Sequence, residues 1–188
     1  MNRILITGCL FVALGSAVAK ADTIIDFEQY GNNTTIKNQY LAQGVKFSNA
    51  LQKTAPSGDY NSIDFPPHSG AGVVINDPSA IMTITFTAVQ NEVSGWFSAG
   101  EFLTISAYDF DGAFLGSVYP AGGYHVSSSW DIMATNIKTL QLKTNDADEF
   151  ALDDLTFNII AKTPVDTRLH HRLGLQHRAL FLNQARLF

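Results

Sequence analysis

The sequence predicts an all-β fold, an antiparallel β-sandwich of jelly-roll type, between Asp22 and Ala161. Three observations predict it. The stretch is rich in Thr, Val, Ile, Phe and Gly, and no long segment of it shows a helical apolar period. Runs such as Met82-Thr-Ile-Thr-Phe-Thr and Leu103-Thr-Ile-Ser-Ala-Tyr alternate apolar and polar residues, as strands with one buried face do. Turn-forming residues interrupt these runs at intervals of roughly ten residues, the spacing of a sandwich.

Taken in order, the predicted strands are Thr23–Phe27, Gly44–Ser48, Gly72–Asn76, Ile81–Thr87, Glu92–Ser98, Phe102–Asp109, Ala113–Tyr119, Tyr124–Trp130, Ile137–Lys143 and Phe150–Ile160. Asn49 to Gly72, with three prolines and several Ser, Gly and Asp, reads as a long surface excursion of the kind that carries binding surfaces. Asp109-Phe-Asp-Gly112 reads as a hairpin turn, because Asp-Gly supplies the positive φ a tight turn requires. It also opens like a calcium loop, but Ala113 stands where the next ligand is needed and no closing Glu follows. On the Glu92–Ser98 strand, Trp96 and Phe97 are neighbours, so one ring points inward and the other outward.

Outside this domain the chain changes character. Residues 1–21 open with one basic residue, Arg3, followed by a short apolar run from Ile4 to Val18 and small-residue sites at Ala17-Val-Ala19 and Ala19-Lys-Ala21. That is the pattern of a secretory signal peptide, too short for a membrane span, and it predicts a secreted or envelope location. The only cysteine, Cys9, lies within it, so the mature domain has no disulfide of its own. From Asp22 to Ala161 sixteen acids stand against five lysines and no arginine, a net of −11. Such a domain repels nucleic acid. Residues 162–188 reverse the sign, with four arginines and Lys162 against Asp166 alone. This basic tail is predicted to be disordered or a short helix; Leu169, Leu173, Leu180 and Leu187 share a face that Gln176 and Asn183 interrupt.

Two candidate sites stand out. The acids Asp26 and Glu28 near the first strand, and Asp153 and Asp154 in the last, fall inside runs that otherwise read as buried. Buried carboxylates need a cation or a set of donors. If the terminal strands are neighbours, the four acids would converge on one hard cation such as calcium; alternatively they accept backbone hydrogen bonds or face water. Adjacent acids point to opposite faces of a strand, so Asp153 and Asp154 share a site only across a bulge. The second candidate is aromatic: Tyr119, Tyr124 and Trp130 flank Gly122-Gly123 and would form a stacking platform for sugars, though aromatic rings in small sandwiches are also core material. Catalytic signatures are absent: no G-x-S-x-G, no H-E-x-x-H and no phosphate-cradling glycine loop. His68 is followed by Ser69, but a triad is a spatial arrangement that neighbours in sequence do not supply.

Four segments in this order, Ile25-Asp-Phe-Glu28, Gly44-Val-Lys-Phe-Ser48, Ala107-Tyr-Asp-Phe-Asp-Gly-Ala-Phe-Leu-Gly-Ser117 and Phe150-Ala-Leu-Asp-Asp-Leu-Thr-Phe157, resemble secreted proteins of the PEP-CTERM type. The resemblance covers nearly all of residues 23–159 and implies a galactose-binding-like sandwich and a non-catalytic envelope or extracellular-matrix protein. It stops at the C-terminus, where the sorting signal of that type is missing or replaced by Thr163-Pro-Val-Asp166 and the basic tail. A looser resemblance to calcium-stabilised carbohydrate-binding modules implies Glu28 and Asp153 as ligands of one structural calcium ion, with Asp26 and Asp154 beside them. The sequence reading is therefore a secreted, non-catalytic sandwich. The alternatives are a carbohydrate-binding module or an enzyme acting on extracellular polysaccharide, and cell-surface components or polysaccharide are the expected partners.

Overall fold

The computed structural model describes residues 22–76, 81–144 and 149–158, which form ten strands and no α-helix. The expected leader (1–21) and basic tail (162–188), with its histidines, lie outside the described residues. The strands are β1 (Asp22–Ile25), β2 (Thr35–Ile36), β3 (Val45–Ser48), β4 (Ala50–Thr54), β5 (Gly72–Asn76), β6 (Met82–Ala99), β7 (Leu103–Tyr108), β8 (Phe114–Val118), β9 (Ser128–Thr144) and β10 (Phe150–Asn158). All pairings are antiparallel, in the order β2-β4-β5-β10-β6-β9-β7-β8, with β1 added to β10 and β3 to β6.

Two strands are much longer than the sequence predicts. Ile81–Thr87 and Glu92–Ser98 are the two halves of β6, and the runs ending in Trp130 and Lys143 merge into β9. The register between β6 and β9 breaks between Thr85, Gln90 and Glu92. There the paired strands bend from one layer of the sandwich into the other. The first halves of β6 pair with β3 and the second halves with β10. Phe86 in the first half of β6 and Phe157 in β10, which pairs with the second half, meet with ring centroids 5.1 Å apart, so the folded sheet encloses a single main core.

The Asn49–Gly72 region differs from the expected surface excursion. Its first residues form β4, and the rest folds over the outer face of β4, β5 and β10. Tyr60 is buried there with Val73, Ile75 and Ala151, against Leu51, Ala55 and Phe65. This is why all five residues of β5 are buried: Val74 faces the main core, and Val73 and Ile75 face the covering loop. The loop is anchored by Tyr60 Oη donating to the Phe65 carbonyl and Ser98 Oγ donating to the Pro66 carbonyl at 2.5 Å. Lys53, itself buried, donates to Asn33 Oδ1 (2.7 Å) and Asp59 Oδ2 (3.0 Å) at its base.

The hairpin reading of residues 109–112 holds. Asp109 Oδ1 accepts from the amides of Asp111 (2.9 Å) and Ala113 (2.8 Å), and Gly112 has φ +81°. The first and last strands lie side by side as expected, with Ile24 opposite Thr156 and Ile25 opposite Leu155.

Candidate functional site

β1 ends at Ile25, two residues before the strand predicted from sequence, because the chain turns. Phe27 takes φ +55°, and Asp26 Oδ1 accepts the Glu28 amide at 3.2 Å. This turn drives the Phe27 ring into the core against Tyr40 and Phe47 while Asp26 and Glu28 stay at the surface. At the other end of the pair, β10 carries a bulge between Asp153 and Thr156, with Asp154 at φ +44°. The bulge turns both aspartates toward one loop.

That loop supplies hydrogen-bond donors to three of the four acids. Asp153 is 2% exposed, and its Oδ2 accepts the amides of His68 (2.8 Å) and Ser69 (2.9 Å). Its Oδ1 accepts the Asp154 amide at 2.8 Å. Asp154 Oδ2 lies 2.7 Å from His68 Nδ1, and its Oδ1 accepts the Ser69 hydroxyl at 3.0 Å. Glu28 Oε1 accepts the amides of Ala71 (2.8 Å) and Gly72 (2.6 Å). Three of the four predicted acids thus clamp residues 68–72, through backbone amides, the Ser69 hydroxyl and the His68 ring. Among the described residues no group of three or more His, Cys, Asp or Glu is placed to hold a metal ion. Burial raises the Asp153 carboxyl from 3.8 to about 6, opposed by the amides of Ser69, Asp154 and His68 and reinforced by the Asp154 charge.

The clamp also shapes a cleft of about 650 Å³ on the outer face of the β1-β10-β6-β9 region. Its wall is a cross-strand row, Ile24–Thr156–Ser94, continued by Trp96 opposite Ser129. Asp26, Asp154, His68 and Ser69 close the opposite side. Alternation along β6 explains the placement: Val93, Gly95 and Phe97 face the core, while Ser94 and Trp96 are half-buried on the cleft side. The His68 ring lies flat on the Trp96 indole, centroids 3.5 Å apart and planes 9° from parallel. Trp96 is therefore held rigid, with His68 fixed in turn by Asp154.

The predicted sugar platform is not assembled as expected. Trp130 is 4% exposed, because the even-numbered residues at the start of β9 face the core; its indole lies over Gly95, where an added Cβ would come within 3.1 Å of it. Trp130 borders the cleft from the core side only, and its Nε1 is buried without a partner. Tyr119 and Tyr124 are 65% and 57% exposed, and neither lines the cleft. Tyr124 packs instead on Phe65 (5.8 Å) and over Gly100. The residues that sequence reading passed over are Trp96 and His68. The outward-facing ring of the Trp96-Phe97 pair was the available signal; the stack on His68 depends on a loop docking that no local pattern reports.

The cleft lacks the arrangement of a serine hydrolase. Ser69 donates to Asp154 rather than to His68, so this serine, histidine and aspartate do not form a nucleophile–base–orienter chain. Among the described residues no helix is long and apolar enough to cross a membrane.

No protein-family model and no curated protein matches this chain. Solved structures with a similar course of strands include an arabinose-bound α-L-arabinofuranosidase (14% identity over 73% of this chain and 26% of that one, TM-score 0.45). This chain therefore spans about a quarter of that enzyme. Others are a carbohydrate-binding module in complex with β-1,4-galactotriose (16% identity, 69% of this chain and 100% of that one, TM-score 0.40) and a family 35 carbohydrate-binding module from Clostridium thermocellum (14%, 73% and 97%, TM-score 0.44).

Proposed function

We propose that this domain is a non-catalytic carbohydrate-binding module whose cleft takes a short stretch of polysaccharide. The observation that carries the reading is Trp96, braced by His68 at 3.5 Å, in a cleft whose polar lining is carboxylates and hydroxyls. A sugar ring presents an apolar C–H face and a rim of hydroxyls. A rigid indole matches the first, and Asp26, Ser94, Ser129, Asp154 and Thr156 match the second. Rigidity favours binding, because a pre-ordered ring loses little conformational entropy when the ligand arrives.

The test is a glycan array followed by titration of the hits. Trp96→Ala is expected to weaken binding by about tenfold or more, the scale of a lost aromatic contact of roughly 1.5–3 kcal/mol. Tyr124→Ala, outside the cleft, is expected to change affinity by less than about twofold. An array without hits, or a Trp96→Ala protein that binds as wild type does, would overturn the reading.

A further inference from the structure

Resting on that sugar-binding reading, we propose that the cleft selects sugars bearing a free amino group, such as glucosamine units, over neutral sugars, and rejects uronate-bearing chains. Asp26 and Asp154 line the cleft, and among the described residues neither Lys nor Arg does. The hydrogen bond that Asp26 makes among the described residues comes from its own turn, the Glu28 amide, so an exposed carboxylate faces the ligand space.

Three lysines of the described residues lie elsewhere. Lys53 is committed to Asp59 and Asn33 at the far side of β4, and Lys138 lies over the Phe110 ring. Lys37 borders a different cleft, with Lys53 and Glu149. Among the described residues that line the sugar cleft the basic group is His68, and Asp154 holds its Nδ1 at 2.7 Å. A uronate carboxylate entering here would meet like charges without a compensating cation, whereas an ammonium group would meet an acceptor at Asp26. The ring stacking on Trp96 is common to all three sugar classes, so the charge at Asp26 decides among them.

Titration of the intact chain with pentasaccharides of glucosamine, glucose and galacturonate separates the outcomes, at about pH 5.5, where most of the sugar amine is protonated because its neighbouring oxygens hold it below the ordinary α-amino range. The glucosamine chain is expected to bind at least about fivefold more tightly than the glucose chain at low salt, with the advantage shrinking as salt is added. The galacturonate chain is expected not to bind. Asp26→Asn should bring the glucosamine-to-glucose ratio close to one; because the ratio is internal to each protein, a general loss of folding does not imitate it. Equal or weaker binding of the glucosamine chain, or an advantage untouched by both salt and Asp26→Asn, overturns the proposal. So does absence of glucosamine binding alone, and in that case neutral hits on the array leave the sugar-binding reading standing.

Discussion

Replacing Asp153 with asparagine is expected to destabilise the domain at every pH, and by the largest margin in acid. Both carboxylate oxygens accept backbone amides, from His68 and Ser69 on one side and Asp154 on the other. Asparagine keeps one acceptor and turns an NH2 group toward amides that need an acceptor, leaving buried donors unpaired at about 1–3 kcal/mol. The pH dependence follows from the wild-type group. Burial raises its folded value from 3.8 to about 6, so the folded state binds the proton more tightly than the unfolded chain. Its contribution to stability is fully present below about 3.8 and is lost as pH rises through about 6. The difference of roughly two units corresponds to about 3 kcal/mol. Asparagine does not titrate, so the stability gap between the two proteins should be widest near pH 4 and narrow toward pH 7. Urea denaturation of both proteins across that range measures it. A gap that widens with rising pH would mean that the three amides outweigh burial and hold the carboxyl below its ordinary value.

Much of the fold is legible in the sequence because its causes are local. Alternation in Met82–Thr87 and Leu103–Tyr108 reports a buried face directly, and Asp109–Gly112 encodes its own turn. The acids at both ends of the domain raise the pairing of β1 with β10 as a condition for a shared site, and the two strands do pair. What escapes is the product of long-range contact. β4 reads as loop because it opens a stretch with three prolines and several Ser, Gly and Asp, while the burial of its Gln52 and Lys53 rests on partners distant in sequence: Phe27 for Gln52, Asn33 for Lys53. The bulge at Asp154 has no sequence signature, yet it decides whether two adjacent acids share a face. The site is half legible for the same reason. Its acids are conspicuous, but their partners, the amides of residues 68–72, belong to a loop whose docking nothing nearby predicts. The aromatic prediction settled on Trp130 because glycines flank its neighbourhood; the strand phase of β9 puts that ring in the core, and the phase of β6 puts Trp96 at the cleft.

Gly72→Ala is expected to be among the most damaging single changes in the domain, although it adds only one methyl group. A Cβ on Gly72 would lie 2.2 Å from the Phe27 carbonyl oxygen and 2.7 Å from its carbon, both backbone atoms that no rotamer change can move. The Phe27 carbonyl is already held at 2.7 Å by the buried Gln52 amide, and the residue sits at φ +55°. Shifting it would pull the Phe27 ring away from Tyr40 and Phe47, break the Gln52 bond and lengthen the 2.6 Å bond from the Gly72 amide to Glu28. Overpacking and a lost buried hydrogen bond together amount to about 3 kcal/mol or more, a fall in melting temperature on the order of 10 °C for a domain of this size. The same substitution at Gly58 is the control. Nothing lies within 4 Å of a Cβ there, so its effect should stay within about 1 kcal/mol. The clamp makes the two positions differ in function as well. Gly72 adjoins the loop that carries His68, so Gly72→Ala should loosen the His68–Trp96 stack and weaken glycan binding along with stability, whereas Gly58→Ala should alter neither. A Gly72→Ala protein that melts with the wild type would show that the β1 turn and the start of β5 are not held together as tightly as the 2.2 Å approach requires.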